Sequence, residues 1–347
     1  MMDAIPGITK ARKALLSACL IGVGFGATQQ VLAAATDYKD HPKAKAFIEE
    51  MVEKGLDRDF VTGLIHDAKH QKSIIKAISR PAEKRLTWGE YRKIFLGQSR
   101  IDQGVEFWNQ HRDTLRRASQ QYGVPEEIIV AIIGVETRYG RHAGSYRVID
   151  SLATLAFDYP PRSKFFTGQL GELMLLLQEQ PLDPKAIKGS YAGAMGFGQF
   201  IPSSYRHYAV DFDADGSIDL LNNPVDAIGS VANYFKRHGW RSGQPVTLSA
   251  ALDKPIESDK LSKKLKPIET LAHWRNLGLT FDPQLANELK ATAMRLQAVD
   301  GEQHWIGLHN FYVITRYNHS RLYAMAVYQL SQEIAALKAK QQQVANG

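Results

Sequence analysis

The stretch from Ile128 to Val135 carries no polar side chain on any face. At helical spacing it predicts a helix that is apolar all round, and such a helix belongs inside a protein rather than on it. Pro125 suits the first helical turn, and Glu126 and Glu127 suit the positive end of the helix dipole. Gly140 is placed to stop the helix. The run ends on Glu136, so a buried helix carries a carboxyl group inward with it. Desolvation and the negative end of the helix both favour the protonated form, which predicts that Glu136 donates a proton near neutral pH as a general acid. The structural alternative is an ion pair with Arg138, Arg141 or Arg147.

A chain of 347 residues exceeds a typical single domain, so subdomains are expected around that helix. The excess of 43 Lys+Arg over 36 Asp+Glu gives +7. That surplus is compatible with an anionic polymer as substrate, but it is too small, and too little interleaved with aromatics, for nucleic acid. Residues 1–35 read as a cleavable export signal: Lys10, Arg12 and Lys13 precede the apolar stretch Ala14 to Ala27, and Ala33-Ala34-Ala35 offers a cleavage site. That stretch is too short and Gly-rich to span a membrane. Leu16-Ser17-Ala18-Cys19 has the form of an acylation box, but it lies close behind Lys13. A soluble exported protein is therefore preferred, with a lipid anchor at Cys19 as the alternative. Cys19 is also the sole cysteine, so the exported chain has no disulfide.

Residues 37 to about 80 show the pattern of short amphipathic helices, closed by a break at Arg80-Pro81. Ile101 to Gln121 reads as one long helix, followed beyond Glu136 by helices over 150–157 and 165–178. The second of these has Phe165, Leu170, Leu173, Met174 and Leu177 as its apolar stripe. After Trp240 the pattern changes. Pro245 to Ser249 is strand-like, Ala291 to Val299 alternates with period two, Asp300-Gly301 signals a turn, and Gln303 to Leu308 is a further strand. Ser320 to about Lys340 returns to helix, with a polar, frayed tail to Gly347.

Three segments carry chemistry. Lys188 to Tyr205 combines glycines, aromatics and hydroxyls as a wall for a sugar chain would, with Ser190 and Gln199 as hydrogen-bonding groups. A tight contact between helices is the structural alternative. Phe311 to Ser320 is polar and aromatic within an apolar region: Asn318 suits a substrate amide, and Tyr317 and Tyr323 suit the flanks of a proton-transfer site. Its alternative is a packed loop with a helix cap at Asn318 or Ser320. Asp211, Asp213, Asp215, Gly216, Ser217 and Ile218 fit the first eight positions of an EF-hand calcium loop. Asn222 stands where the bidentate Glu belongs, and Asp226 is placed to close a lengthened loop. No thiol nucleophile, zinc motif, P-loop or Gly-x-Ser-x-Gly elbow competes, which leaves acid–base chemistry by a carboxyl group.

Gly134-Val135-Glu136-Thr137-Arg138-Tyr139-Gly140, the segment Gly189 to Tyr205, the loop from Asp211, and Ile314 to Ser320 together resemble the lytic murein transglycosylase B family, glycoside hydrolase family 103. The resemblance implies a mainly α (α+β) protein with a lysozyme-like catalytic core. It implies an N-terminal helical subdomain over 36–110, the core over 111–243 with its calcium loop at 211–226, a small β subdomain over 244–309, and a C-terminal segment, 310–347, that completes the cleft. It further implies Glu136 as the lone catalytic acid/base, Ser190, Gln199, Tyr317, Asn318 and Tyr323 as substrate-cleft residues, and Asp211, Asp213, Asp215, Ser217 and Asp226 around a structural calcium. The substrate would be peptidoglycan glycan strands, cut between N-acetylmuramic acid and N-acetylglucosamine with closure of a 1,6-anhydro ring. Periplasmic or outer-membrane placement, a monomeric state, cell-wall synthesis proteins as partners and no organic cofactor complete the expectation. A hydrolytic muramidase of the same core would instead need a second carboxylate, for which Asp150 and Asp158 are the candidates.

Overall fold

The computed structural model describes residues 37–79, 86–257, 260–262 and 264–346; the export signal, Cys19 and the Arg80-Pro81 break lie outside them. Three short helices open the described chain. α1 (Pro42–Glu53) buries Ala44, Phe47, Ile48 and Met51, a helical spacing, and α2 (Arg58–Asp67) is capped by Asp57, which accepts from the Phe60 N–H at 2.8 Å. α3 is Lys72–Ile78. α4 (Trp88–Phe95) starts on a reciprocal capping box between Thr87 and Glu90.

The long helix expected over 101–121 is two helices, α5 (Gln98–Gln110) and α6 (Arg112–Tyr122), parted at His111 with φ −112° and ψ 24°. The break lets the two halves serve different neighbours, because α5 packs on the central and C-terminal helices while α6 packs chiefly beneath a later one. Gly123, at φ 73°, ends α6.

α7 (Glu126–Thr137) is the helix foreseen from composition, with Pro125 one position outside it as the N-cap. Every residue from Ile128 to Thr137 is buried. Each buried Ile or Val contributes about 1.5–3 kcal/mol, an upper bound set by the extended-chain reference. Ile132→Ala would cost about 2–5 kcal/mol in so crowded a position.

A two-stranded ribbon, β1 (Tyr146–Arg147) with β2 (Lys188–Gly189), brackets α8 (Val148–Asp158) and α9 (Ser163–Glu179). On α9 the stripe is rotated from expectation: Phe166 is buried, whereas Phe165 is 38% exposed beneath the Arg162 guanidinium, 4.1 Å from its ring centre. The first three helices are fixed to α8 by polar contacts, including Tyr38 to Asp158 (2.8 Å) and the Lys69 N–H to Asp150 (2.9 Å). α10 (Pro202–Tyr208) and α11 (Pro224–Arg237) follow, and α11 supports α6 and α7.

The β region is a five-stranded antiparallel sheet. It contains β3 (Thr247–Leu252), β4 (Glu269–Thr270), β5 (Leu279–Thr280), β6 (Lys290–Ala298) and β7 (Gly301–Gly307) in the order β4-β6-β7-β3-β5, with α12 (Leu271–Asn276) beside it. β6 and β7 form a hairpin in which Ala298 faces Gly301. Period-two patterning predicts one wet face, yet Ala291 through Met294 are buried in sequence. Ala291 and Ala293 join a small local core with Leu271, Trp274 and Ile306, while Met294, Leu296 and Ala298 join the main core. The sheet is thus covered on both sides there. α13 (His309–Tyr317) leads to α14 (Arg321–Asn346), which crosses α4, α5 and α7. α14 stays helical past Lys340, where fraying was expected.

Candidate active site

Glu136 sits in the last turn of α7, 4% exposed. Its Oε1 accepts a hydrogen bond of 2.5 Å from the hydroxyl of Tyr323, itself 1% exposed on α14. The arginines offered as ion-pair partners are engaged elsewhere. Arg138 donates to Gln103 and Ser99, Arg141 to Glu106, and Arg147 to Asp67 while lying 3.5 Å from Asp150. Tyr317, at the end of α13, donates to the Gly198 carbonyl at 2.5 Å. Burial first, and then the negative charge of Glu136, push both Tyr317 and Tyr323 well above the ordinary phenol range. Both therefore remain donors at neutral pH. Asn318 is 5% exposed and ends α13 in extended conformation; the cap of α14 is Ser320, whose Oγ accepts from the Tyr323 N–H at 3.3 Å.

Sequence reasoning gave Gly140 the task of stopping α7. The structure uses three consecutive left-handed residues instead: Arg138 (φ 52°), Tyr139 (φ 62°) and Gly140 (φ 84°). Non-glycine residues in that region each cost on the order of 1–3 kcal/mol and persist only where the surroundings hold them. Tyr139 supplies part of that hold, its hydroxyl donating to the Arg100 carbonyl at 2.9 Å. Its ring lies so close over α7 that a Cβ on Gly134 would come within 2.7 Å of it. Thr137 supplies the rest and was missed from the sequence. Its Oγ1 accepts from the Gly140 N–H (2.9 Å) and reaches the carbonyls of Phe197 (2.9 Å) and Ile133 (3.2 Å). The signal available was a hydroxyl beside a buried acid.

The glycine-rich segment lies against this turn, and its glycines are packed closely against protein. A Cβ on Gly196 (φ 72°) would lie 2.2 Å from the Leu220 carbonyl oxygen, which is backbone and cannot give way. Ser190 is 4% exposed and closes a local loop, its Oγ accepting from the N–H groups of Ala192 (3.3 Å) and Ala194 (3.1 Å). Gln199 is held at φ 51° and donates from Nε2 to the carbonyls of Ala143 (3.0 Å) and Gly196 (3.1 Å). Its Oε1 is buried and accepts no hydrogen bond within the described structure. An acceptor in that state is costly to leave unpaired.

At the aspartate loop, one carboxylate oxygen each from Asp211, Asp213 and Asp226 lie within 4.8 Å of one another. Oxygens about 2.3–2.6 Å from a shared calcium ion would have that spacing, so this all-oxygen donor set fits such an ion. Gly216 (φ 93°) makes the sharp turn at the expected place. Asp226, fully buried, ties the loop's two ends by accepting from the Phe212 N–H (2.7 Å) and the Asp219 N–H (2.8 Å). Burial first, and also the charges of Asp213 and Asp211, raise its pKa against those two hydrogen bonds. Asp215, outside this trio, accepts from the Ser217 N–H (2.8 Å) and Oγ (2.9 Å). Asn222 turns to Asp219, its Nδ2 donating at 3.0 Å.

A helical core built on one buried carboxyl-bearing helix, with a small sheet at its side, is the lysozyme-like architecture of the lytic transglycosylases. The chain belongs to the transglycosylase SLT domain family, whose profile matches residues 39–332. Membrane-bound lytic murein transglycosylase B of Escherichia coli (strain K12) is 46% identical over 309 residues, covering 86% of this chain and 84% of that protein. The E. coli lytic transglycosylase Slt35, solved in complex with calcium, superposes with a TM-score of 0.80 at 46% identity, over 87% of this chain and 96% of that one. SltB3 from Pseudomonas aeruginosa, solved with NAG-anhNAM-pentapeptide, does so at 0.77 and 31% identity, over 87% and 80% of the two chains. Among the described residues no helix is long and apolar enough to cross a membrane.

Proposed function

We propose that this chain is a lytic murein transglycosylase in which Glu136 is the one proton donor and acceptor. The observation that carries the proposal is the buried Glu136 carboxyl group held at 2.5 Å by a phenol that stays protonated. Burial favours the neutral acid and the Tyr323 hydrogen bond favours the carboxylate, so both forms have support at one site.

In the first step the Glu136 proton passes to the glycosidic oxygen leaving C1 of N-acetylmuramic acid, and the C1–O bond breaks. The positive charge on C1 is met by the carbonyl oxygen of the substrate's own acetamido group. In the second step the C6 hydroxyl bonds to C1 and gives its proton to the Glu136 carboxylate. The acid is thereby regenerated, a 1,6-anhydro ring closes, and no water is consumed. Tyr317, Asn318 and Tyr323 are assigned to the cleft near the acetamido group, and Ser190 and Gln199 to the same cleft along the glycine-rich segment, with Gln199 Oε1 awaiting a donor. The rival hydrolytic scheme needs a second working carboxylate. Its two candidates have structural partners: Asp158 receives Tyr38 and faces His70 (2.8 Å) and His41 (3.5 Å), and Asp150 serves the Lys69 N–H and Arg147.

Asp211, Asp213 and Asp226 would hold calcium as a clamp on the loop between α10 and α11, remote in chain order from Glu136 and supplying no step of the reaction. The assignment extends to a periplasmic location, soluble or anchored through Cys19, and to a monomer. Digestion of purified murein followed by mass spectrometry tests the proposal: muropeptide ends one water lighter than hydrolytic products are expected. Reducing ends in their place would overturn it.

A further inference from the structure

Thr137 joins two parts of the site that have no covalent link near it. Its hydroxyl accepts from the Gly140 N–H at 2.9 Å, which closes the left-handed turn directly after Glu136, and lies 2.9 Å from the Phe197 carbonyl. A hydroxyl has one proton to give, and Phe197 is the nearer of its two acceptors, with Ile133 at 3.2 Å. The next residue, Gly198, offers its carbonyl to the Tyr317 hydroxyl at 2.5 Å. Tyr323, six residues beyond Tyr317, returns to Glu136 at 2.5 Å. Three hydrogen bonds, linked through the backbone at Phe197–Gly198 and from Tyr317 to Tyr323, therefore tie the end of α7 to the glycine-rich wall, that wall to α13, and α14 back to the carboxyl group. Thr137 is 1% exposed, so water does not replace its hydroxyl in either bond.

We infer that Thr137 is a positioning residue that fixes Glu136 relative to the Phe197–Gln199 wall, and so to the bond being cut; this rests on the assignment of Glu136 above. The hydroxyl is the working group, and the methyl group only fills space. Thr137→Val keeps the shape and removes both donor and acceptor, while Thr137→Ser keeps the hydroxyl. A displacement of about 1 Å in a reacting group costs on the order of 100-fold in rate. The valine variant is therefore expected to lose about 10- to 100-fold in kcat on solubilised glycan strands with KM unchanged, and the serine variant to recover most of that loss.

Loss of activity in proportion to loss of folded protein, a rise in KM with kcat intact, or equal activity of the valine and parent chains would each overturn the inference. So would equal losses in valine and serine. If the valine chain does not fold, Thr137→Ala is measured in its place; failure of both to fold marks the hydroxyl as a folding determinant only and also overturns it. Product masses are recorded throughout. Hydrolytic products from the parent chain would refute the assignment of the reaction, whereas the variants' kcat and KM decide the role of Thr137.

Discussion

Replacing Asp226 by Asn probes the proposed cation site where its chemistry and its structure meet. The Asp226 carboxylate serves the Phe212 N–H on one oxygen and the Asp219 N–H on the other, at 2.7 and 2.8 Å. Asparagine has one oxygen, so one buried N–H loses its acceptor, at about 1–3 kcal/mol. Removing a buried charge beside Asp211 and Asp213 acts in the opposite direction, so the metal-free variant should fall below that figure. Calcium bound at 100 times its dissociation constant would stabilise the parent by about 2.7 kcal/mol. At roughly 2–4 °C per kcal/mol for a chain this large, the melting temperature rises by about 5–10 °C. The variant, short of one anionic ligand, should show little of that rise. The pKa of Asp226 is raised by folding. In the metal-free chain its contribution to stability is therefore fully present below the ordinary aspartate range and lost as pH rises through the raised value. Bound calcium requires the ionised form, so its stabilising increment widens across that same window. Thermal melts with chelator, then with calcium restored, at several pH values between acid and neutral measure this. Identical melting temperatures with and without calcium at neutral pH, or a D226N chain that responds as the parent does, would refute the reasoning.

Glu136→Gln should reduce kcat by at least the 10²–10⁴-fold that general acid–base catalysis typically contributes, with melting temperature and murein co-sedimentation close to the parent's; substantial turnover by the variant would remove Glu136 from the mechanism. Gly140→Ala places a Cβ 2.2 Å from Phe197 at φ 84°, so it should destabilise by about 1–3 kcal/mol or more and lower activity with it. A denaturant midpoint unchanged in that variant would contradict the left-handed turn. Arg206 bonds Glu179 through two nitrogens at 2.8 and 2.6 Å and also reaches Glu172, tying α10 to α9. Arg206→Leu should cost about 1–2 kcal/mol, a value kept low because these side chains reach water. The Arg206 hydrogen bond holds Glu179 below its ordinary range. The stability it lends is therefore present above that range and lost as pH falls through the lowered value, so parent and R206L unfolding curves should converge in acid.

The burial of α7 and the place of Glu136 on it followed from sequence, because a helix with no polar face has one stable environment. The clustering of Asp211, Asp213 and Asp226 and the turn at Gly216 were legible for a similar reason, because these residues lie close in the chain and the turn needs glycine at one position. Packing redistributed what the period and composition left open. Phe166 rather than Phe165 enters the core, His111 parts one predicted helix into two, and β6 is buried on both sides because separate cores meet across it. Local composition is blind to such choices, since each depends on what the rest of the chain brings to the other face. Asp226 and Tyr323 show the same division within the sites. Tyr323 lies 187 residues beyond Glu136, yet their side chains meet at 2.5 Å. Nothing local to Thr137 announced that its hydroxyl would bridge a turn to a distant carbonyl. The sequence by itself determined that α7 would be buried and would carry the Glu136 carboxyl group in with it. Tertiary structure alone decided which partners hold that group, because hydrogen bonds between remote segments exist only after the helices have closed around them.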